Sequence, residues 1–287
     1  MPPKRAFVFP SGGSSGAAQV GILRALLAAG VFPGVVVGSS VGALNAAFVA
    51  IDPTVARIEE LAAIWKRITR ADVFGRNRYG TVYRLARRHD HIYTPRALRT
   101  LISAFCTVGD LGETRIPVHV VTTDLDHGVA RWWSTGPAQE ILYASACLPG
   151  LFPPAELGGH RHVDGGVLEP APVGRAVDLD VAEVYVLGEV FGPDIEPRVP
   201  ATALDVLLRS FAISRYARLP EPSALARAGQ RVITVPGAST AGIEITNFAH
   251  TARLIDESYA RATRFLEQIG QGANDSSKVA SPLGGIR

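Results

Sequence analysis

One serine stands in a sequence setting that suits a nucleophile. Ser40 is the central residue of Gly38-Ser39-Ser40-Val41-Gly42, which matches the pattern G-x-S-x-G. The valines at 35–37 predict a buried strand before it, and residues 43–50 predict a helix after it. A serine on such a sharp turn is strained with its hydroxyl exposed, and the two glycines leave room for the tight crossing. The motif therefore predicts a nucleophile, although a plain βα turn can carry the same letters.

A second segment is suited to binding an anion. Ser11-Gly12-Gly13-Ser14-Ser15-Gly16 can turn backbone N–H groups toward a phosphate or toward the oxyanion of a tetrahedral intermediate. It does not match the dinucleotide pattern G-x-G-x-x-G, because Ser11 takes the first position, and the second strand does not end in an acidic residue. The P-loop signature is missing as well. An oxyanion hole fits better, since both turns follow strands that we expect to end at one sheet edge.

A base is needed as well, because a serine hydroxyl is a poor nucleophile until something accepts its proton. Val163-Asp164-Gly165-Gly166 offers a carboxylate far downstream, although Asp-Gly is also a common turn. The alternative is a triad whose histidine follows the acid, and His250 is the only histidine in that position. The residues around His250 predict the start of a helix rather than a loop after a strand, so the triad is the less favoured interpretation.

Metal and disulfide chemistry are not indicated. Cys106 and Cys147 make no disulfide framework and belong to no CxxC or Cys/His zinc pattern. Two histidine pairs could suggest metal ligands, namely His89/His91 and His160/His162. No further cysteine or acidic cluster completes a site around either pair, so we expect no metal and assign these histidines structural or supporting roles.

Taken together, these motifs resemble the patatin-like phospholipase family. The resemblance extends from Arg5 to Val173 and rests on several boxes in the same order. They are the glycine-rich turn with the helix after it (12–23), the serine motif (38–46), the segment Thr122–Gly128, the stretch Ala144–Pro154 and the box Asp164-Gly165-Gly166.

The resemblance implies a patatin-like three-layer α/β/α fold, with a mostly parallel central sheet and helices on both faces. It implies a Ser–Asp dyad rather than a triad, with Ser40 as nucleophile and Asp164 as base. It places the oxyanion at the backbone N–H groups of Gly12 and Gly13, in one turn with Ser14. The remaining motif glycines are Gly16, Gly38, Gly42, Gly165 and Gly166.

The activity implied is hydrolysis of a lipid or other acyl ester through an acyl-enzyme, without a cofactor. Two residues depart from the family pattern. The family usually has a glycine at the position of Ser11 and often has a basic residue at the position of Ser15. These departures bear on the substrate class more than on the reaction. An acyltransferase or thioesterase on the same scaffold, or a non-catalytic nucleotide- or anion-binding module, remain alternatives.

The elements that must position these residues alternate in type. The start of the chain predicts β-α-β-α, with a strand at 6–9 and a helix at 17–29, which is typical of a parallel sheet between helices. Later patterns predict strands at 117–123, 129–134, 161–163, 183–187 and 231–235, and helices at 54–69, 94–105, 137–147, 203–216 and 247–269. We expect one hydrolase domain over 5–270 and a disordered tail over 271–287.

Composition excludes several classes of protein. The chain has 287 residues, 47% hydrophobic and 19% charged, with a net charge of +3, so neither disorder nor nucleic-acid binding is indicated. The N-terminus shows no export signal, and we expect a cytoplasmic protein. Residues 57–99 contain eleven basic and four acidic residues. This run is either a solvated face or a basic cap that gives peripheral contact with anionic lipid headgroups.

Overall fold

The central sheet contains eight strands within the residues that the computed structural model describes. Those residues are 4–76, 90–188, 206, 209–210, 212–214 and 219–279. The strands are β1 (Arg5–Phe9), β2 (Val35–Ser39), β3 (Val118–Asp124), β4 (Val129–Trp133), β5 (Ala155–Leu157), β6 (His160–Asp164), β7 (Glu183–Leu187) and β8 (Arg231–Val235). Their order is β5-β6-β3-β2-β1-β7-β8, and β4 pairs with β3 outside this path.

The sheet is mostly parallel, as predicted. β3, β2, β1, β7 and β8 run parallel to one another, whereas β4 and β6 are antiparallel to β3 and β5 is antiparallel to β6. Every residue of β2 is buried. The β-branched run Val35–Val37 suits this position, because a central parallel strand is covered on both faces.

Helices cover both faces of the sheet, which confirms the predicted layered α/β architecture. Phe7 and Phe9 of β1 join a large core with the first helices of the chain, and Ala6 and Val8, which alternate with them, join a smaller core on the other face. The helices are α1 (Gly16–Ala28), α2 (Val41–Ile51), α3 (Val55–Trp65), α4 (Arg70–Phe74), α5 (Arg96–Phe105), α6 (Ala138–Ala146), α7 (Val173–Val177) and α8 (Thr251–Val279). Of these, α7 belongs to the smaller core and α8 packs on α1.

One edge of β3 serves two strands in succession. β2 pairs with β3 as far as Val121, and β6 pairs with it from Thr122 to Asp124. Since β4 pairs with β3 from Val120 to Asp124, β4 must lie on the opposite edge. The end of β6 therefore lies directly beyond the end of β2, although the two strands are far apart in the sequence.

The structure differs from the predicted elements in places. It adds β5, α4 and α7, which are too short for a clear periodic pattern. The last helix continues to Val279, into the segment 271–287 for which a disordered tail is predicted. Extending an existing helix adds a hydrogen bond for each residue that it fixes. The small and polar residues of this segment give no helical pattern from which the extension could be predicted. Residues 280–287 and most of the predicted helix at 203–216 lie outside the described residues.

Candidate active site

Ser40 lies on the sharp turn between β2 and α2. Its backbone angles are φ 56° and ψ −129°, and it is the only residue other than glycine with a positive φ in the described part of the chain. Residues held in such sparsely populated conformations cluster at functional sites. The strained turn at Ser40 matches the nucleophile elbow that the motif predicts.

Close packing and one hydrogen bond hold this turn in place. A Cβ atom on Gly42 would lie 2.2 Å from the carbonyl oxygen of Phe9, and one on Gly38 would lie 2.6 Å from the Cα atom of Ala43. The backbone N–H of Ser40 donates to the Oγ atom of Ser145, on α6, over 3.0 Å. Ser145 is fully buried and was not predicted to be a site residue.

Asp164, at the end of β6, is the hydrogen-bond partner of the Ser40 hydroxyl. The Oγ atom of Ser40 donates to Oδ2 of Asp164 over 2.6 Å. The other carboxylate oxygen, Oδ1, accepts the backbone N–H of Gly166 over 2.7 Å. Asp164 is fully buried, and Gly165 beside it packs so closely that a Cβ atom there would lie 2.2 Å from the Val121 carbonyl oxygen. The Asp-Gly-Gly box thus aims its carboxylate at Ser40.

A cysteine thiol lies close to this pair but is not a second nucleophile. Burial raises the pKa of Cys147 most, the negative charge of Asp164 adds to this effect, and the pKa reaches about 12. Its Sγ atom donates to the carbonyl oxygen of Ala144 over 3.3 Å. Because the thiolate is the reactive form, Cys147 is inert at neutral pH.

The glycine-rich turn lies beside the serine motif. Residues 13–15 form a short 3-10 turn, in which the Ser15 hydroxyl donates to the carbonyl oxygen of Gly12 over 2.7 Å. Gly13 has a φ of 57°, a backbone conformation that residues other than glycine rarely adopt. A Cβ atom on Gly16 would lie 2.9 Å from Cγ2 of Val41, the residue after Ser40. The turn and the serine motif therefore meet at one sheet edge, as predicted.

The turn is also joined to the segments around it. The backbone N–H of Ser11 donates to the carbonyl oxygen of Pro170, just beyond the Asp-Gly-Gly box, over 2.8 Å. The N–H of Ser14 donates to the carbonyl oxygen of Ile245 over 2.9 Å, and its hydroxyl donates to that of Glu244 over 3.0 Å. Because Ile245 already takes the Ser14 N–H, Gly12 and Gly13 remain the candidates for binding an oxyanion.

A buried polar network fixes both ends of the glycine-rich turn. Gln19 donates to the carbonyl oxygen of Pro10 over 2.6 Å, and Asn45 donates to that of Gly16 over 3.0 Å. Asn45 also donates to Oε1 of Gln19 over 2.8 Å and accepts the indole N–H of Trp65 over 2.9 Å. Since Asn45 belongs to α2, the network links the turn to the helix that begins after Ser40.

Within the described residues, the Ser40 hydroxyl is bonded to Asp164 and not to a histidine. His250 is exposed just before α8. His162 is buried, with its Nδ1 atom 3.0 Å from the hydroxyl of Thr122. His160 lies beside Asp124 and His127, in a group whose possible ligand atoms are all within 4.8 Å of one another. No local sequence pattern joins His160 to an acidic partner, because the pairing of β3 with β6 creates this group.

The basic run at 57–99 is only partly described, since residues 77–89 lie outside the described residues. Arg57 pairs with Glu60 over 2.7 Å, and Arg99 pairs with Glu140 over 2.8 Å. These pairs neutralise part of the predicted basic face, and its contact with lipid headgroups stays a prediction. Among the described residues, no helix has both the length and the apolar character that crossing a membrane requires.

The chain is similar to a known protein family and to several of its members. The family model described as patatin-like phospholipase matches residues 7–177. An uncharacterized NTE family protein of Mycobacterium tuberculosis is 31% identical over 220 residues, which are 72% of this chain and 56% of that protein. Patatin-like phospholipase domain-containing protein 7 of Rattus norvegicus is 28% identical over 187 residues, 64% of this chain and 13% of that protein.

The chain spans about half the length of the mycobacterial relatives that it matches. Among solved structures, that of VipD from Legionella pneumophila aligns with a TM-score of 0.47 and 14% identity, over 93% of this chain and 67% of that one. The family model covers the glycine-rich turn, the serine motif and the Asp-Gly-Gly box together. This chain belongs to the patatin-like phospholipase family.

Proposed function

We propose that the protein is a serine acyl-ester hydrolase that acts on lipid esters through a Ser40–Asp164 dyad. The observation that carries the proposal is the 2.6 Å hydrogen bond from Ser40 Oγ to Asp164 Oδ2, on a buried carboxylate beside a strained serine. Membership of the patatin-like phospholipase family supports a lipid ester as the substrate class.

The reaction begins when Ser40 Oγ attacks the ester carbonyl carbon and its proton moves to Asp164 Oδ2. A tetrahedral intermediate forms with negative charge on the former carbonyl oxygen. Its collapse breaks the bond to the alkoxy group, which leaves with the proton from Asp164. The acyl group remains on Ser40 as an ester.

A water molecule completes the reaction. Asp164 takes one of its protons while the oxygen attacks the acyl carbon, and collapse of the second intermediate returns a proton to Ser40. The products are a carboxylic acid and the regenerated enzyme. Asp164 is suited to both steps because the N–H of Gly166 holds its second oxygen and keeps Oδ2 directed at Ser40.

Stabilisation of the intermediate is assigned to Gly12 and Gly13. Their backbone N–H groups lie in the turn that meets the serine motif through Gly16 and Val41. Removing one oxyanion donor typically raises the barrier by about 2.7–4 kcal/mol in other enzymes, so this turn has a large part in the predicted rate.

The test combines ester hydrolysis with covalent labelling. We expect Ser40→Ala and Asp164→Asn each to lower the rate of nitrophenyl ester hydrolysis by at least about 1,000-fold in folded protein. A fluorophosphonate should label the natural protein at Ser40 and leave Ser40→Ala unlabelled. His250→Ala should keep most activity. Full activity in either dyad variant would refute the dyad, and a large loss in His250→Ala would favour the triad.

Product analysis then distinguishes the reactions that this scaffold could perform. Release of free fatty acid from a lipid extract by the natural protein, but not by Ser40→Ala, supports hydrolysis. Transfer of the acyl group to an added alcohol, or preference for a thioester, would identify an acyltransferase or a thioesterase. Absence of labelling together with tight nucleotide binding would instead identify a binding module.

A further inference from the structure

Three side chains with metal-ligating atoms meet at the end of β3. Asp124 is the last residue of β3, His127 lies in the turn that leads to β4, and His160 begins β6. The rings of His127 and His160 meet edge to face with 4.7 Å between their centroids. One ligand atom from each of the three residues lies within 4.8 Å of the others.

The carboxylate of Asp124 is held in a fixed position by its neighbours. It is buried, and Oδ1 accepts the backbone N–H groups of Asp126 over 3.1 Å and His127 over 3.0 Å. The side chain is therefore an anchored carboxylate, and Nδ1 of His127 lies within 3.1 Å of both of its oxygens.

The spacing suits zinc. Nδ1 of His127 lies 3.0 Å from Oδ2 of Asp124. Around a tetrahedral Zn²⁺, with bonds of about 2.0–2.2 Å to nitrogen and oxygen, neighbouring ligand atoms lie about 3.3 Å apart. The exposed ring of His127 and the partly exposed ring of His160 can turn to meet the ion. Two imidazoles and one carboxylate form a donor set that zinc favours.

We propose that Asp124, His127 and His160 bind one Zn²⁺ ion, with water in the fourth position. The ion would join the β3–β4 turn to the hairpin of β5 and β6, whose far end carries Asp164. Its role is to stabilise this end of the sheet. The site lies outside the proposed dyad, so Ser40→Ala protein binds zinc as well as the natural protein does.

Arg131 supplies a sharp test, because it competes with the ion. Its Nε atom lies 3.2 Å from Oδ2 of Asp124, and its side chain is 48% exposed. A bound zinc ion would displace this guanidinium toward solvent. Removing the positive charge of Arg131 by substitution should therefore favour binding of the cation. We therefore expect Arg131→Met to bind zinc more tightly than the natural protein. A zinc-binding site made of scattered surface histidines would not respond to this change.

The experiment is a calorimetric titration of Zn²⁺ into the full chain after treatment with EDTA, with Co²⁺ absorption as a second readout of geometry. We expect one equivalent to bind at micromolar or lower free zinc. His127→Ala and His160→Ala should each weaken binding by more than the 10- to 100-fold typical of losing a partner outside the ligand set. His250→Ala, which removes an exposed histidine elsewhere, should bind normally.

Thermal unfolding provides an independent measurement. Saturating zinc should raise the midpoint of the natural protein by roughly 5–10 °C and leave that of His127→Ala unchanged. Absence of binding to the natural protein would overturn the proposal. Equal binding by the natural protein and both cluster variants would overturn it too, since the ion would then be held adventitiously by other surface groups.

Discussion

At the scale of single residues, the conformation of Ser40 must be enforced by its neighbours. A backbone with φ 56° and ψ −129° costs on the order of 1–3 kcal/mol for a residue other than glycine. Two hydrogen bonds hold Ser40 in this conformation, one at its side chain and one at its backbone. Asp164 accepts its side-chain hydroxyl, and Ser145 accepts its backbone N–H. Ser145 is therefore a positioning residue for the proposed nucleophile.

Replacing Ser145 with Ala should separate positioning from binding. The buried N–H of Ser40 would lose its partner, which costs about 1–3 kcal/mol, and the hydroxyl would be aimed less accurately. We expect kcat to fall at least about tenfold with KM little changed, and fluorophosphonate labelling of Ser40 to slow in parallel. Steady-state kinetics and labelling rates measure both effects.

Ser39→Ala is the matched control, because it also removes a buried serine hydroxyl next to the turn. Within the described residues, that hydroxyl has no hydrogen-bond partner. Its removal should leave kcat close to the natural value. Equal losses in the two variants would show that deleting any hydroxyl here is harmful, and that the contact with Ser40 has no special role.

At the scale of elements, the site is assembled where secondary structures meet. β2 pairs with one edge of β3 as far as Val121, and β6 pairs with the same edge beyond that residue. This pairing brings Asp164 to Ser40. The helices α1, α2 and α3 contribute Gln19, Asn45 and Trp65 to one buried network. This network is hydrogen-bonded to both ends of the glycine-rich turn. The position of the turn relative to Ser40 therefore depends on how the helices pack.

Asn45→Ala tests this dependence. The change removes the partner of the Gly16 carbonyl oxygen, of Gln19 and of the Trp65 indole N–H, and should lower the free energy of unfolding by about 2–3 kcal/mol. We also expect a lower kcat in the fraction that stays folded, because the turn loses its support. Urea unfolding and ester hydrolysis measure the two quantities.

Val49→Ala provides the comparison on the same helix. Val49 is fully buried further along α2, and its apolar side chain contributes to the core. Its truncation should lower stability and leave kcat nearly unchanged. If both variants reduce kcat in proportion to their loss of stability, the network serves folding alone.

At the scale of the whole molecule, partly buried ionisable groups link stability to pH. His119 lies on β3, where burial and then the charge of Arg175 lower its pKa below the usual 6.5. The imidazole is therefore neutral in the folded protein at a pH where it takes up a proton in the unfolded chain. Stability from this group is fully present above about pH 6.5 and is lost as the pH falls below that value.

Urea unfolding at about pH 7.5 and about pH 5.5 checks the sign and the source of this effect. The natural protein should be less stable at the lower pH, with His119 contributing at most about 1.4 kcal/mol for each pH unit. His119→Gln should show a smaller loss. His250→Gln, at an exposed position, should show the same loss as the natural protein. A steeper loss in His119→Gln would contradict the lowered pKa.

What the sequence determined by itself was local. Strand β2, the turn at Ser40 and the helix after it follow from adjacent residues, because a buried valine run, a G-x-S-x-G motif and a helical pattern each act over a few positions. The mostly parallel sheet follows from the alternation of strands and helices. The pairing of Ser40 with Asp164 was predicted from the resemblance of several boxes to one family, not from spacing.

Only the tertiary structure decided how distant segments meet. Ser145 reaches the Ser40 amide, Ile245 takes the Ser14 amide, and His160 joins Asp124 and His127. None of these contacts leaves a local pattern, since strand register and helix packing depend on the whole sheet rather than on neighbouring residues. The sequence therefore pointed to Ser40, while the fold supplied the contacts that hold it.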